Sequence, residues 1–370
     1  MMRRVFRVRS LALWSNPAHS LQVNWGDMTA QLADNQNLGP EQIRDACLGL
    51  LGELGPFEAR VDFLRALSKK GVSGSELAGF ARELLGFARP FPGGGEGALD
   101  VCGTGGDQAN LFNVSTATLF VVAGAGVRVI KHGNRRITSQ SGGADVLEAL
   151  GVAIALTPDQ SRDLLETAGF CFLFAPAYHS AIKAATPARQ KLADEGIPTI
   201  FNLLGPLLNP AQPDYQLTGI FSPRFLKIYA EALSSLGRKS AWVVHGEGAN
   251  GEPLDEVSPC GITHGHSIGP AGIRPIRWHA QELGFQHGGL AELRGGDPAA
   301  NARIIEGILE GTLRGAARDV VILNSAAALV VAGAAGSLAE GVSRAIESVD
   351  AGAARSRLQA ARSFTVAAQS

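Results

Sequence analysis

The chain has 370 residues, and its 33 Lys and Arg side chains oppose 34 Asp and Glu side chains, which gives a formal net charge of −1. This length allows one large domain and a smaller one. The near-neutral charge excludes a global field that would attract nucleic acid or an anionic membrane surface, so any anion site must be built locally.

The four cysteines are widely separated and form no CxxC pair. They stand alone at Cys47, Cys102, Cys171 and Cys260. This pattern indicates neither a zinc site nor a disulfide framework, and free thiols are typical of a reducing compartment, so we expect a cytoplasmic protein. No apolar run reaches the roughly 18 residues that a membrane span requires, which argues against a membrane partner.

The first 27 residues differ from the rest of the chain. They are basic, and their apolar stretch from Leu11 to Trp14 is too short and too interrupted for a signal peptide. A more ordinary opening begins at Met28. We therefore expect residues 1–27 to be a disordered arm or the product of a start codon chosen too early, and we expect their removal to change activity and melting temperature very little.

Apolar residues recur at helical spacing over residues 40–89. Ser73 or Ser75 can cap the last of these helices. The segment PFPGGGEG then breaks the pattern. We predict a small helical domain over residues 28–92, joined by part of residues 178–200.

Short apolar runs alternate with amphipathic helices over residues 93–370. The runs typical of strands cover residues 99–102, 127–131, 170–175 and 241–246. Thr157 and Gln160 form a capping box at the start of one helix, and Gly169 ends it. This alternation predicts an α/β fold, in which a large α/β domain has a mostly parallel central sheet flanked by helices, in addition to the small N-terminal helical domain.

The densest cluster of glycine and polar residues is DVCGTGGDQANLFNVST. A predicted strand ends at Cys102, a glycine loop follows, and Asn113 opens an apolar helix. Glycines allow backbone amides to approach an anion, and a helix N-terminus adds N–H groups and a partial positive charge. We predict a phosphate or diphosphate site that is neither a Walker loop nor a GxGxxG motif; a tight turn with a serine cap is the alternative. The residues concerned are Gly103, Thr104, Gly105, Gly106, Asp107, Asn113, Ser115 and Thr116.

A second polar segment, KHGNRRITSQSGGAD, follows another predicted strand. Lys131 and His132 stand at the carboxyl end of that strand, where open α/β sheets bind ligands. A solvated basic loop is the alternative, but the direct connection to a buried strand opposes it. The loop that follows would form a second anion site. Its polar and glycine residues are Asn134, Arg135, Arg136, Ser139, Ser141, Gly142 and Gly143.

Seven motifs occur in the order and at the spacing of a known family. They are GTGGD, NxST, KHGNR, SGGADVLEALG, FLFAP, FNLLGPLLNP and LDEVS. Together they resemble the anthranilate phosphoribosyltransferase family, which belongs to the nucleoside-phosphorylase-like glycosyltransferases. The resemblance implies a pentosyltransferase that moves the 5-phosphoribosyl group from phosphoribosyl diphosphate to the amine of anthranilate in tryptophan biosynthesis. It also implies Mg²⁺ as a cofactor and a homodimer.

The resemblance assigns roles to individual residues. It implies that the sugar donor is bound by Gly103, Thr104, Gly105, Gly106, Asp107, Asn113, Ser115, Thr116, Lys131, Ser139, Ser141 and Gly143. It implies that anthranilate contacts Gly103, His132, Asn134 and Arg189, and that the metal is held by Ser115, Asp255 and Glu256. Arginine suits a carboxylate, and adjacent carboxylates suit Mg²⁺. An Asp-Glu pair in a loop is, taken alone, more often part of a solvated turn. The position of this pair after a predicted strand favours the metal role.

The chain also departs from the family pattern. Gln140 stands where lysine is frequent, and Pro198 stands where arginine is frequent. Ile137 is bulkier than the small residue common at its position. The segment between Arg189 and Phe201 is a few residues longer than usual. These departures bear on the identity of the acceptor more than on the identity of the donor.

Two alternatives remain open. A related phosphoribosyltransferase or phosphorylase with another acceptor would share the fold, although the intact GTGGD motif and carboxylate pair disfavour a phosphorylase. A non-catalytic nucleic-acid-binding relative would carry a basic face, and the net charge disfavours it. We identify no general base from the sequence. We interpret Cys102, His179 and His245 as core residues without a catalytic role.

Overall fold

The computed structural model describes residues 22–106, 109–135, 141–285 and 289–364. These residues form two compact units. The smaller unit contains the described residues up to Pro90 and the segment Pro176–Pro210. The larger unit contains Phe91–Ala175 and the described residues from Ala211 onward. The second segment of the smaller unit is thus longer than the stretch expected from the sequence.

Fifteen α-helices and eight strands lie in the described part of the chain. The helices are α1 (Trp25–Ala33), α2 (Pro40–Leu51), α3 (Phe57–Lys70), α4 (Gly74–Leu85), α5 (Val114–Gly124), α6 (Gly143–Ala149), α7 (Pro158–Ala168), α8 (Ala175–Tyr178), α9 (Thr186–Asp194), α10 (Phe201–Leu204), α11 (Leu226–Ser235), α12 (Pro298–Leu309), α13 (Ala316–Val331), α14 (Leu338–Asp350) and α15 (Ala353–Arg362). The strands are β1 (Ala98–Gly103), β2 (Arg128–Gly133), β3 (Phe170–Phe174), β4 (Tyr215–Gly219), β5 (Ser240–Glu247), β6 (Pro253–Leu254), β7 (Ile262–Gly269) and β8 (Gly272–His279).

One sheet organises the larger unit, with the strand order β3-β2-β1-β4-β5-β7-β8 and with β6 paired to β5. The first five strands in this order are parallel, whereas β6, β7 and β8 pair antiparallel. Helices α5, α7, α11 and α13 pack against the sheet. The predicted α/β class is therefore confirmed. Because β1, β2 and β4 are parallel neighbours, the loops after their carboxyl ends emerge at one edge of the sheet.

Local signals in the sequence agree with the observed elements. Strands β1, β2, β3 and β5 and helices α2 to α4 lie where the apolar patterns predict them. The hydroxyls of Ser73 and Thr157 accept the capping hydrogen bonds at α4 and α7. Strand β4 was not predicted, because its buried Gln216 and Thr218 interrupt the apolar run. No helix in the described ranges is long and apolar enough to cross a membrane.

The start of the smaller unit corrects one expectation. The sequence-based boundary of the N-terminal arm, Asp27, is too late, because α1 begins at Trp25. The Trp25 side chain is 4% exposed, its indole Nε1 donates a hydrogen bond to the carbonyl of Leu54 at 3.0 Å, and its ring meets Phe63 edge-on at 5.2 Å between centroids. Residues 22–27 are therefore structured, and residues 1–21 lie outside the described residues.

This correction predicts the cost of removing the Trp25 side chain. We expect Trp25→Ala to lower the free energy of unfolding by about 3–5 kcal/mol, because truncation of a buried aromatic side chain leaves a cavity and an unpaired carbonyl. Urea unfolding measures this change. Thr29→Ala, a control in the same helix, is expected to alter the free energy by less than about 1 kcal/mol. Equal stability of the two variants would contradict the placement of Trp25.

Candidate active site

The glycine loop lies directly after β1. Gly105 and Gly106 have φ angles of +67° and +86°, a region that glycine enters without the steric cost of a Cβ. The backbone N–H of Thr104 donates to the carbonyl of Gly219 at 3.0 Å, and its hydroxyl accepts from the N–H of Phe221 at 3.0 Å. The loop is therefore anchored to the end of β4. Asp107 lies outside the described residues.

The glycine loop contacts the predicted carboxylate pair. The N–H of Gly105 donates to Asp255 Oδ2 at 2.6 Å. A Cβ added to Gly103 would lie 2.5 Å from the same oxygen, and one added to Gly219 would lie 1.6 Å from the carbonyl oxygen of Asp255. Because Gly103 and Gly219 have no side chains, the ends of β1 and β4 leave the space that the Asp255 segment occupies. The structure brings together two motifs that are about 150 residues apart.

Asn113 joins the first anion loop to the second. Its Oδ1 accepts from Asn301 Nδ2 at 2.9 Å, and its Nδ2 donates to the carbonyl of Ser141 at 3.3 Å. Two residues after Ser141, Gly143 begins α6. A Cβ added to Gly143 would lie 3.5 Å from Thr116 Oγ1. The two predicted anion loops are therefore neighbours. Ser139 and Gln140 lie outside the described residues.

Lys131 supplies a buried positive charge at this place. Its side chain is 4% exposed, and its ammonium donates to Ser115 Oγ at 3.0 Å and to the carbonyl of Val101. No carboxylate of a described residue forms an ion pair with it. The Thr116 hydroxyl is also buried and has no hydrogen-bond partner in the described part of the chain. A buried cation without a counter-charge favours an anionic ligand.

Ser115 and Glu256 line one small cavity of about 10 Å³, close to the volume of a single water site. The cavity is lined by Val101, Cys102, Ser115, Thr118, Leu217, Gly219, Glu256 and Asn324. The hydroxyl and carboxylate oxygens are the hard ligands that Mg²⁺ prefers. Within the described ranges, no group of three or more His, Cys, Asp or Glu side chains forms a complete metal cage.

The remaining residues of the KHGNR motif differ in exposure. His132 is buried at the end of β2, whereas Asn134 is exposed and its carbonyl accepts from Ala144 N at 3.3 Å. Arg135 forms a salt bridge with Glu148 and lies over the ring of Phe174, 5.5 Å from its centroid. Arg135 is thus engaged within the protein. Arg136 and Ile137 lie outside the described residues.

Arg189 lies on α9 in the smaller unit. It is half-buried, and its guanidinium carbon lies 4.8 Å from the centroid of the Phe201 ring. Burial lowers the pKa of this side chain from its usual value. No carboxylate in the described part of the chain pairs with it, so its charge is available to an anion. The longer segment after it is held in place, because the carbonyl of Pro198 accepts from Ser68 Oγ at 2.5 Å.

Cys102, His179 and His245, which lack an assigned role, are core residues. Burial raises the pKa of the Cys102 thiol to about 12, so that a nucleophilic thiolate is disfavoured at neutral pH. His179 bonds the carbonyl of Leu208 at 2.7 Å, and burial lowers its pKa to about 4. His245 Nδ1 bonds the carbonyl of Ile220 at 2.7 Å.

Sequence reasoning missed three residues that shape this site. Gly219 makes space for Asp255, Asn301 orients the amide of Asn113, and Asn324 bonds the segment after Glu256. A signal existed for Asn324, because it is the only amide in the long apolar helix α13. Gly219 and Asn301 act through contacts between distant segments and left no local pattern.

The fold and these loops define a glycosyltransferase of the α/β type. Residues 95–355 match the model of a family described as "Glycosyl transferase family, a/b domain". Two similar relatives are named anthranilate phosphoribosyltransferase. The protein from Desulfatibacillum aliphaticivorans is 40% identical over 341 residues, which cover 92% of this chain and 98% of the relative. The protein from Methylorubrum extorquens (strain PA1) is 44% identical over 331 residues, which cover 89% and 95%.

Solved structures agree with these relatives. The anthranilate phosphoribosyltransferase of Thermus thermophilus has a TM-score of 0.81 and 35% identity, with coverage of 91% of this chain and 99% of that one. The Saccharomyces cerevisiae enzyme in complex with PRPP and Mg has a TM-score of 0.81 and 27% identity, with coverage of 94% and 99%. The chain therefore belongs to the glycosyl transferase family with this α/β domain and, within it, to the anthranilate phosphoribosyltransferases.

The close approach at Gly219 predicts a sensitive position. We expect Gly219→Ala to displace the Asp255 segment and to lower activity at least about tenfold, with a stability loss of about 1–3 kcal/mol from overpacking. Gly269→Ala is the matched control, because a Cβ there meets no atom within 4 Å. Steady-state kinetics and thermal unfolding of both variants measure the effect. Full activity of Gly219→Ala would show that the two loops do not depend on this contact.

Proposed function

We propose that the protein transfers the 5-phosphoribosyl group from phosphoribosyl diphosphate to the amine of anthranilate, giving N-(5-phosphoribosyl)anthranilate and diphosphate, in tryptophan biosynthesis. The observation that carries this proposal is the hydrogen bond from Gly105 N to Asp255, which joins an anion loop to a carboxylate pair. The names of the relatives support it, as does the S. cerevisiae structure in complex with 4-fluoroanthranilate.

The donor's phosphates are bound by the two neighbouring anion loops. The N–H groups of Thr104 and Gly105 are taken by Gly219 and Asp255, so the glycine loop lets the diphosphate approach closely while the N-terminus of α5 faces it. Lys131 neutralises part of its charge, and the hydroxyls of Ser115 and Thr116 donate hydrogen bonds. The full donor set is Gly103, Thr104, Gly105, Gly106, Asp107, Asn113, Ser115, Thr116, Lys131, Ser139, Ser141 and Gly143.

Asn113 has a more limited role in this set than the resemblance implies. Both ends of its amide are occupied, by Asn301 and by the carbonyl of Ser141. We therefore assign Asn113 the role of holding the two anion loops together. It also lies at the start of α5, where the helix N-terminus carries partial positive charge.

Mg²⁺ fits the residues present. Ser115 and Glu256 line the same cavity, and Asp255 lies against the glycine loop, so these three side chains would hold the ion. When bound, the ion supplies positive charge to the leaving diphosphate. Asp255 alone would repel a diphosphate bound in this loop, and a bound cation would offset that repulsion.

The reaction forms a bond from the amine nitrogen to C1 of the ribose and breaks the bond from C1 to the diphosphate oxygen. The electron pair of the broken bond leaves with the diphosphate, and the amine proton passes to solvent or to a carboxylate. Positive charge develops on the ribose and negative charge grows on the leaving group. The protein therefore acts by holding the diphosphate and by positioning the acceptor, and no covalent intermediate with the protein is needed.

For the acceptor, we propose the roles that the family resemblance assigns to Gly103, His132, Asn134 and Arg189. Arg189 carries the recognition of the anthranilate carboxylate, because its half-buried guanidinium has no carboxylate partner among the described residues. We further propose a cytoplasmic location, in keeping with the four free cysteines, and a homodimer, as the family resemblance implies. A fluorescence assay of anthranilate consumption, with phosphoribosyl diphosphate and Mg²⁺, tests the function, and no consumption by folded protein would refute it.

The carboxylate pair generates a prediction about magnesium. We expect the double variant Asp255→Asn with Glu256→Gln to fold and to lose at least about a hundredfold in turnover, because the charge that binds the metal is removed. Kinetics over a Mg²⁺ titration measure the change. Glu252→Gln is a control on the other side of β6, where the carboxylate accepts from the side chain of Asn250. An unchanged rate in the folded double variant would refute the metal assignment.

Arg189 generates a prediction about the acceptor. We expect Arg189→Ala to raise the KM for anthranilate by roughly one to two decades, the equivalent of a lost charge-assisted hydrogen bond of about 1.5–3 kcal/mol. The KM for the donor should change little. Lys191→Ala is the control, because Lys191 lies on the same helix but pairs with Glu58. Equal constants for Arg189→Ala and the wild type would point to a different acceptor or a different recognition residue.

A further inference from the structure

Asn324 is a buried amide in the apolar helix α13. Its side chain is 1% exposed, with Leu323 before it and the buried Ser325 after it. Its Oδ1 accepts from the N–H of Val257 at 3.0 Å, and its Nδ2 donates to the carbonyl of Val257 at 3.2 Å and to that of Val320 at 2.8 Å. One side chain thus satisfies both backbone polar groups of Val257.

Val257 follows the carboxylate pair directly. The two hydrogen bonds from Asn324, called here the Asn324 clamp, therefore fix the main chain immediately after Glu256. One residue further, Ser258 Oγ donates to the carbonyl of Glu247 at 2.6 Å, which ties the same segment to β5. Asn324 also lines the small cavity that Ser115 and Glu256 share.

We propose that Asn324 is a positioning residue for the metal-binding carboxylates, because it holds the backbone that carries Asp255 and Glu256 against the glycine loop. This inference rests on the proposed function, in which these carboxylates hold Mg²⁺ beside the donor's diphosphate. Asn324 touches neither the metal nor the substrate; it acts through Val257. Partners of this kind orient a ligand set and affect metal affinity about 10- to 100-fold.

The chemistry of the clamp requires an amide. The N–H and C=O groups of Val257 need one acceptor and one donor, and the carboxamide offers both at a fixed separation. A buried backbone group that loses its partner tends to move to another one or to water. Truncation of Asn324 is therefore expected to release the segment after Glu256 and to leave the central sheet in place.

The test is the binding of inorganic diphosphate, measured by calorimetry over a Mg²⁺ titration in the absence of acceptor. We expect Asn324→Ala to raise the Mg²⁺ concentration for half-maximal binding at least about tenfold. In kinetics, the KM for the donor should rise and the KM for anthranilate should change little. Asn324→Ser, whose side chain is too short to bond both groups of Val257, should show the same shift and serves if the alanine variant does not fold.

Two controls separate positioning from general stability. Val331→Ala truncates a buried side chain two turns further along α13 and lowers the melting temperature without reaching the loop. Ser325→Ala changes the adjacent buried polar residue, whose hydroxyl has no partner within the described ranges. Both should keep the wild-type Mg²⁺ dependence. An unshifted Mg²⁺ dependence in folded Asn324→Ala or Asn324→Ser, or an equal shift in Val331→Ala, would overturn the inference. Failure of the wild type to bind diphosphate with Mg²⁺ would instead refute the proposed function.

Discussion

The site depends on the contact between the glycine loop after β1 and the segment that carries Asp255. Gly103 and Gly219 stand opposite each other in the register of β1 and β4. Because neither has a side chain, the Asp255 segment can cross both strand ends, and its carboxylate accepts the N–H of Gly105. The glycine loop, proposed to bind an anion, and the carboxylate of Asp255, proposed to bind a cation, are thereby held at hydrogen-bond distance. The parallel pairing of β1 and β4 is what makes this possible.

The other polar contacts of the larger unit support this arrangement. Asn113 connects the start of α5 to Ser141, and Lys131 reaches back from β2 to Ser115. Asn324, within α13, bonds the backbone of Val257 at the end of the carboxylate segment. Three parts of the chain that are distant in the sequence, residues 113–141, the segment that carries Asp255 and helix α13, therefore contribute to one site. Most of its bonds include a backbone group, and the side chains of Lys131, Ser115 and Asp255 take part in it as well.

The sequence predicted the parts of this molecule that local chemistry determines. Glycine after a strand, the caps at Ser73 and Thr157, and the apolar runs of β1, β2, β3 and β5 are local signals, and the structure has these elements. Trp25 was missed because a single buried aromatic residue before the first helical repeat creates no periodic pattern. The antiparallel hairpin of β7 and β8 was missed as well, although the Gly-Pro-Ala-Gly turn between them was a usable signal.

Lys131 has a consequence for the folding equilibrium. Its ammonium is buried without an ionic partner among the described residues, so the native state without ligand retains an uncompensated charge. An anion that binds there stabilises only the folded chain, in which β1, β2 and α5 are assembled. By mass action, a ligand at a hundred times its dissociation constant adds about 2.7 kcal/mol to the free energy of unfolding. Resistance to denaturation and proteolysis should therefore follow the supply of the sugar donor.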